Sequence, residues 1–361
     1  MSLRRRRRVA VVGIVVILAV ASAIAVAFHL LAPTPPGLAW SDRSEALWVG
    51  IPARIRFALP AGRAADGPGL VKAAFDEVLL TGATVNAFDP SSEVGRFNRE
   101  GGLNPFVPSA ELNDLLRLSR NVWSQTDGAF DVTVWPLKTL WKRAVKEGVP
   151  PAPDDLNAAR ARVGLQRLAW SPEGAILPLV PPASLDFGGI VKGYSVDRAV
   201  ALLKSRGALS GLVQVGGEIR AFGESPDGRP WRVGVRDPLA EGGVEGVVTA
   251  AGDLAISTSG NYEQPVRVGG VDYHHIFDPR TGDPVDTHLL SVTVVLEQGE
   301  WPNATADALA TGLTVLGPER GMALVESIPG AGALFVVRGD DGRPVERVSS
   351  RLVARYRHGT E

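Results

Sequence analysis

From residue 163 onward, glycine cuts the chain into short apolar runs: LQRLAW, GAILPL, GLVQVGGEIRAFG, WRVGVRDP, GVVTAAG, LAISTSG, LLSVTVVLE and GALFVVRG. Runs of about four to eight residues rich in Val, Ile and Leu and bounded by turn residues read as strands. Only two longer segments interrupt them, VKGYSVDRAVALLKSRG and TADALATGLTVLGPERGMALVES, and both have helical spacing. A chain with that many strands and so few helices must stack sheet and helix in layers, which predicts an α+β domain.

The upstream part is more helical. LWVGIPARIRFA (47–58) reads as a first strand and VKAAFDEVLLTGA (71–83) as a helix, with DPSSEVGRFNRE (89–100) as a polar loop between helices. SAELNDLLRLSRNVWSQTDG starts at a capping Ser109 and stops at Gly128. TLWKRAVKEGVPPAPDDLNAARARVG holds two helical pieces around a proline break, so the region reads as a small helical insertion.

Charge and composition narrow the function. The net charge is −1, but Arg4 to Arg8 supply five positive charges and residues 1–40 contain no acid; without those arginines the rest carries −6. An acidic body gives nucleic acid no electrostatic footprint. The chain has no cysteine, which excludes disulfides, thiolate metal sites, a cysteine nucleophile and lipid attachment through an N-terminal thiol. Residues 9–32, VAVVGIVVILAVASAIAVAFHLLA, form an uncharged run after the arginines. A bilayer core needs about 20 such residues, and the arginines belong on the cytoplasmic side. The expectation is an anchor, or alternatively a cleaved signal, over 1–32. A Pro-rich linker over 33–44, a main domain over 45–350 and a polar tail over 351–361 follow. The body then lies at the cell membrane on the extracytoplasmic side.

Three stretches carry possible chemistry. In LDFGGIVKG an apolar run reaches Asp186, then Gly188 and Gly189, then Lys192 at the mouth of a helix. Free N–H groups, close backbone approach and a mobile cation suit a pyrophosphate-bearing nucleotide. The stretch is neither a Walker A loop nor a GxGxxG fingerprint, and an ordinary strand-to-helix turn with a surface lysine has the same spacing. In TADALATGL, Asp307 and Thr311 are four apart and share a helix face among small residues. They could give a hard cation oxygen ligands, or Asp307 could be a solvated acid near a helix start. In YHHIFDPRTGDPV, His274 and His275 are adjacent. One could be a general base, and strand alternation would send the other away. Phe130 and Trp135 in GAFDVTVWPL could stack on a flat ring or belong to the core. Gly216–Gly217 in QVGGEIRAFG suggests a bulge or the close approach of another backbone or a ligand.

In order along the chain, SSEVGRFN (91–98), DGAFDVTVWPL (127–137), LDFGGIVKGYSVDRA (185–199), VQVGGEIRAFG (213–223), AISTSGNYEQ (255–264), HIFDPRTGDPV (275–285) and TADALATGLTVLGPERG (305–321) resemble the ApbE-type FAD:protein FMN transferases. The likeness spans about residues 45 to 345. It implies a layered, T-fold-related domain that binds FAD with Mg²⁺ and moves FMN onto a Thr or Ser hydroxyl of an acceptor protein, with release of AMP. The acceptors it implies are flavin-bearing subunits of membrane redox complexes. It further implies that Phe88, Ala129, Phe130, Asp131, Asp186, Lys192 and Ile276 contact FAD. Asp307, Thr311 and the carbonyl of Gly189 would hold the metal, and His275 would activate the acceptor hydroxyl. Two positions depart from the pattern: Val49-Gly50-Ile51 stands for a usual Met-Gly-Thr, and Ala310 stands where some members have a second acid. An FAD pyrophosphatase and a tethered flavin-binding protein without turnover are the alternative readings of the same residues.

Overall fold

The computed structural model describes residues 37–359, except 49, 102, 173, 241, 262–265 and 286. The expected anchor or signal over 1–32 lies outside the described residues, as does the start of the expected linker. Among the described residues, no helix is long and apolar enough to cross a membrane.

The strands are β1 Leu38–Leu47, β2 Ile51–Pro60, β3 Leu168–Trp170, β4 Ile176–Pro178, β5 Ser210–Val215, β6 Glu218–Phe222, β7 Trp231–Arg236 and β8 Val244–Ala250. They continue with β9 Leu254–Gly260, β10 Val266–Val268, β11 Val271–Tyr273, β12 Leu289–Leu296, β13 Ala331–Arg338, β14 Pro344–Val348 and β15 Tyr356–His358. The helices are α1 Gly67–Thr84, α2 Glu93–Glu100, α3 Ala110–Gln125, α4 Trp135–Glu147, α5 Pro153–Arg160, α6 Val191–Ser205, α7 Pro302–Ser327 and α8 Ser350–Val353.

Eight strands form one antiparallel sheet in the order β1-β2-β5-β6-β9-β12-β13-β14. A three-stranded sheet, β15-β8-β7, is separate from it. Strand alternation explains the layering. On β13, Ala331, Ala333 and Phe335 pack with the helical core, whereas Leu334 and Val336 pack with Val233, Val235 and Val248 of the small sheet. β12 is buried along its whole length, as a central strand covered on both faces must be. The helical layer consists chiefly of α1 and α6 over β2 and β5, and of α3 and α7 over β12 and β13. The layered α+β expectation is met.

Four local expectations are corrected. Residues 38–44 are not linker: they run in β1, whose register with β2 is unbroken from Leu38↔Pro60 to Leu47↔Ile51. Residues 93–100 are not loop but α2, because the Ser92 side chain accepts from Gly95 N at 2.8 Å and Val94 and Phe97 are fully buried. Gly216–Gly217 is not a bulge but the two-residue turn of the β5–β6 hairpin, with Val215 paired to Glu218 and Gly216 at φ +60°. The polar tail is also structured: α8 packs under β13, and β15 pairs with β8.

Candidate active site

A cavity of about 470 Å³ opens where the start of α6, the middle of α7, α4 and the loop after β11 converge. Every site residue that the family resemblance implies lines it: Phe88, Ala129, Phe130, Asp131, Asp186, Gly189, Lys192, His275, Ile276, Asp307 and Thr311. That size is ordinary for a small-molecule site.

The Asp186 wall is fixed from three sides. Asn98 of α2 zips onto Leu185, donating to its carbonyl at 2.8 Å and accepting its N–H at 2.6 Å. The Asp186 N–H donates to Val132 O at 2.7 Å, and the carboxylate takes Lys138 Nζ at 2.6 Å and Gly188 N–H at 3.1 Å. Gly189 is required by proximity: a Cβ there would lie 2.9 Å from Thr311 Oγ1 and 3.4 Å from Phe130. The backbone of Gly189 thus faces the Thr311 hydroxyl directly. One turn earlier on α7, Asp307 is buried and accepts from Gly193 N–H at 3.0 Å.

Lys192 and Asp307 share their space with a residue the sequence did not single out. Glu218, the first residue of β6, is fully buried, and its Oε1 accepts from Lys192 Nζ at 2.8 Å. Burial pushes the Glu218 carboxyl above the usual carboxylate range, the charge of Asp307 pushes the same way, and Lys192 opposes both. Burial also raises Asp307, again against Lys192. Two acids therefore face one ammonium in a water-poor pocket, an arrangement short of positive charge. Asp307, Thr311 and Gly189 line the same cavity, and the carboxylate, hydroxyl and carbonyl oxygens they offer are of the hard type that suits Mg²⁺.

The histidine question is settled by a loop rather than by strand alternation. His274 and His275 lie beyond β11 with their rings stacked at 4.9 Å. His274 is buried, and its Nδ1 accepts from Ile276 N–H at 3.0 Å, which puts its ring proton on Nε2. His275 lines the cavity, and its buried Nδ1 has no hydrogen-bond partner among the described residues. Burial, His274 and the cations Lys192 and Lys138 drive its pKa down to about 3, so the ring is neutral at physiological pH. Trp141 clamps this loop: it donates to Gly282 O at 3.1 Å and stacks on Phe277 at 5.8 Å.

Asp131 lines the cavity with its carboxylate held in place by the chain. Its carboxylate accepts from Thr133 N–H, Thr133 Oγ1 and Leu165 N–H at 2.7, 2.6 and 2.9 Å, so it shapes the wall. Phe88 stands half-exposed at the mouth, edge-on to Trp135 at 4.8 Å, with Lys142 Nζ 4.3 Å from its ring centroid. Phe130 is buried in the cavity wall, whereas Trp135 meets Phe88 outside it. Lys138, Lys142 and Glu218 escaped sequence reasoning because their importance lies in partners 26 to 54 residues away.

The chain is similar to known proteins over most of its length. The model of the ApbE family matches residues 49–335. The FAD:protein FMN transferase of Vibrio cholerae is 38% identical over 263 residues, 72% of this chain and 76% of the relative. That of Escherichia coli K12 is 34% identical over 248 residues, 67% of this chain and 69% of the relative. The solved flavin transferase ApbE from Vibrio cholerae superposes with a TM-score of 0.74 at 33% identity, covering 88% of this chain and 99% of that one. The chain belongs to the ApbE family.

Proposed function

We propose that this protein transfers FMN from FAD to a threonine or serine hydroxyl of an acceptor protein. The observation that carries the reading is that one cavity is lined by a neutral imidazole, a buried acid one helical turn from a hydroxyl, the Gly189 backbone and a lysine. The names of the relatives support it.

In this reading, Phe88 at the mouth meets the flavin ring, and the backbone of 129–131 with Ile276 lines the nucleotide. Lys192 and the N–H groups at the start of α6 bind pyrophosphate oxygens. Asp307, Thr311 and the Gly189 carbonyl would hold Mg²⁺, which when bound neutralises charge developing on the phosphates. His275 takes the proton of the acceptor hydroxyl. The hydroxyl oxygen bonds to the FMN phosphorus, the pyrophosphate P–O bond breaks, and AMP carries the electron pair away. An imidazole held neutral can act as a base without first losing a proton to solvent, and the incoming pyrophosphate anion strengthens it by offsetting the nearby cations.

The proposal extends to the setting. Residues 9–32 tether the protein to the cell membrane with the body outside the cytoplasm, supported by Arg4–Arg8 ahead of that uncharged run. The transferase body runs from β1 to β15. The acceptor is a flavin-bearing subunit of a membrane redox complex, as the family resemblance implies.

The test is incubation of the full chain in detergent with FAD, Mg²⁺ and an acceptor domain, followed by mass spectrometry. A covalent FMN on the acceptor, lost with EDTA, is the expected result. Free FMN and AMP with no adduct would mean that water replaces the acceptor. Intact FAD would mean binding without turnover.

A further inference from the structure

Glu218 raises a physical question. A carboxylate with no exposed surface costs several kcal/mol to desolvate, and an ion pair in such a place stabilises no better than apolar side chains of equal volume. Its stability contribution does not explain why it is there. The hairpin aims it deliberately: Gly216 N–H bonds Pro52 O at 2.8 Å, Thr258 N–H bonds Gly217 O at 3.2 Å, and Glu218 pairs in register with Ser257 of β9. Oε1 receives Lys192 Nζ, and Oε2 has no hydrogen-bond partner among the described residues.

Lysine is a flexible cation on a four-carbon stem. Near Lys192 two acids compete for it, Glu218 and Asp307, and both feel its charge. If the ammonium moved onto Asp307, it would occupy the acid that the cation site requires. Held by Glu218, it stays at the cavity wall, and its freedom is already spent before substrate arrives.

We propose that Glu218 is a positioning residue that holds the Lys192 ammonium at the pyrophosphate subsite and off Asp307. This rests on the functional reading above, since it assigns Lys192 to the phosphates of FAD.

A double-mutant cycle tests it on the full chain. FAD binding is followed by flavin fluorescence anisotropy in EDTA, so that the readout does not depend on metal-loaded activity. Glu218→Gln keeps the shape and removes the charge. It is expected to weaken FAD binding about tenfold, as is Lys192→Met, and the double variant should bind no more weakly than Lys192→Met alone. Glu218→Asp, which keeps the charge but shortens the reach, should fall between wild type and Glu218→Gln; it serves as the test pair if Glu218→Gln does not fold. A purely structural role would make the two losses multiply, and that would overturn the proposal. So would wild-type affinity in Glu218→Gln. Wild-type protein that binds no FAD overturns the functional reading and this inference together, whereas normal wild-type binding with an unaffected Glu218→Gln overturns this inference alone.

Discussion

Helices α6 and α7 meet over buried acid in two places, and the two are built differently. At the first, Asp197 of α6 accepts from Asn303 N–H at 2.8 Å and Ala304 N–H at 2.9 Å, capping the start of α7. It also takes Arg220 Nη1 at 2.6 Å, and Arg220 turns its Nε to Asp253 at 2.6 Å. Burial lifts the Asp197 carboxyl to about 6, and three donors pull against that. One turn further along α7, Asp307 lines an open cavity, and the fully buried Glu218 accepts from Lys192, whose charge both acids feel. The first network is closed by the protein's own donors and holds the helices in place. The second is left short of positive charge, and that shortage marks it as the place where something binds. Buried polarity alone does not define a site; incomplete compensation does.

The comparison can be broken by substitution, and the largest effect belongs to the open network. Asp307→Ala should lower FMN transfer about 10³-fold with Mg²⁺ present, read as acceptor adduct by mass spectrometry, with little loss of thermal midpoint. Retention of most activity would remove Asp307 from the metal site. The closed network should answer in stability instead: Asp197→Ala should cost about 3 kcal/mol in urea unfolding, because it leaves two N–H groups without their acceptor and Arg220 with Asp253 alone. The protein that remains folded should keep its FAD affinity, and a selective loss of affinity would show the two networks to be one. His275→Ala should reduce kcat about 10²-fold while the FAD Kd stays within about twofold; collapsed binding would make that ring structural. Lys192→Met should weaken FAD about tenfold by titration.

The smallest effect is an absence of proton uptake. Burial lowers His274 to about 4 and His275 to about 3, whereas His358, on the surface against Glu346, is raised. In a ring-nitrogen NMR titration from pH 8 to 5, His358 should take up its proton early while His274 and His275 stay neutral. For the latter pair the folded pKa lies below the unfolded one, so their contribution to stability is present above about pH 6.5 and is lost as pH falls toward the folded values. Early protonation of His275 would deny it a neutral resting state.

The parts of this structure legible in sequence are those encoded locally. Strands β5 to β9, β12 and β13 are legible as apolar runs between glycines, and α3 announces itself through Ser109, whose side chain accepts from Leu112 N–H. α2 hid because EVGRFNRE buries only Val94, Gly95 and Phe97, and its polar face looks like loop. β1 hid because LAWSDRSEAL is an edge strand with almost no buried residue, whose shape comes from pairing with β2. The LDFGGIVKG turn and the Asp307–Thr311 pair could be read because both partners sit within a few residues of each other. Glu218, Lys138 and Asp197 could not, since each acquires its partner through the fold. The GG before Glu218 signalled a special backbone; its meaning, a turn that aims a carboxylate, required the hairpin.

Gly193 sits between the two networks. A Cβ there would lie 2.3 Å from Asn303 O and 2.9 Å from Ala304 Cα, so α6 and α7 touch backbone to backbone at that point. The distance between the lysine on one helix and the acid on the other is therefore machined by a missing atom. Such a joint has almost no play: the charges that receive the phosphates need not rearrange when the reaction passes over its barrier, and the work of arranging them was done once, when the chain folded.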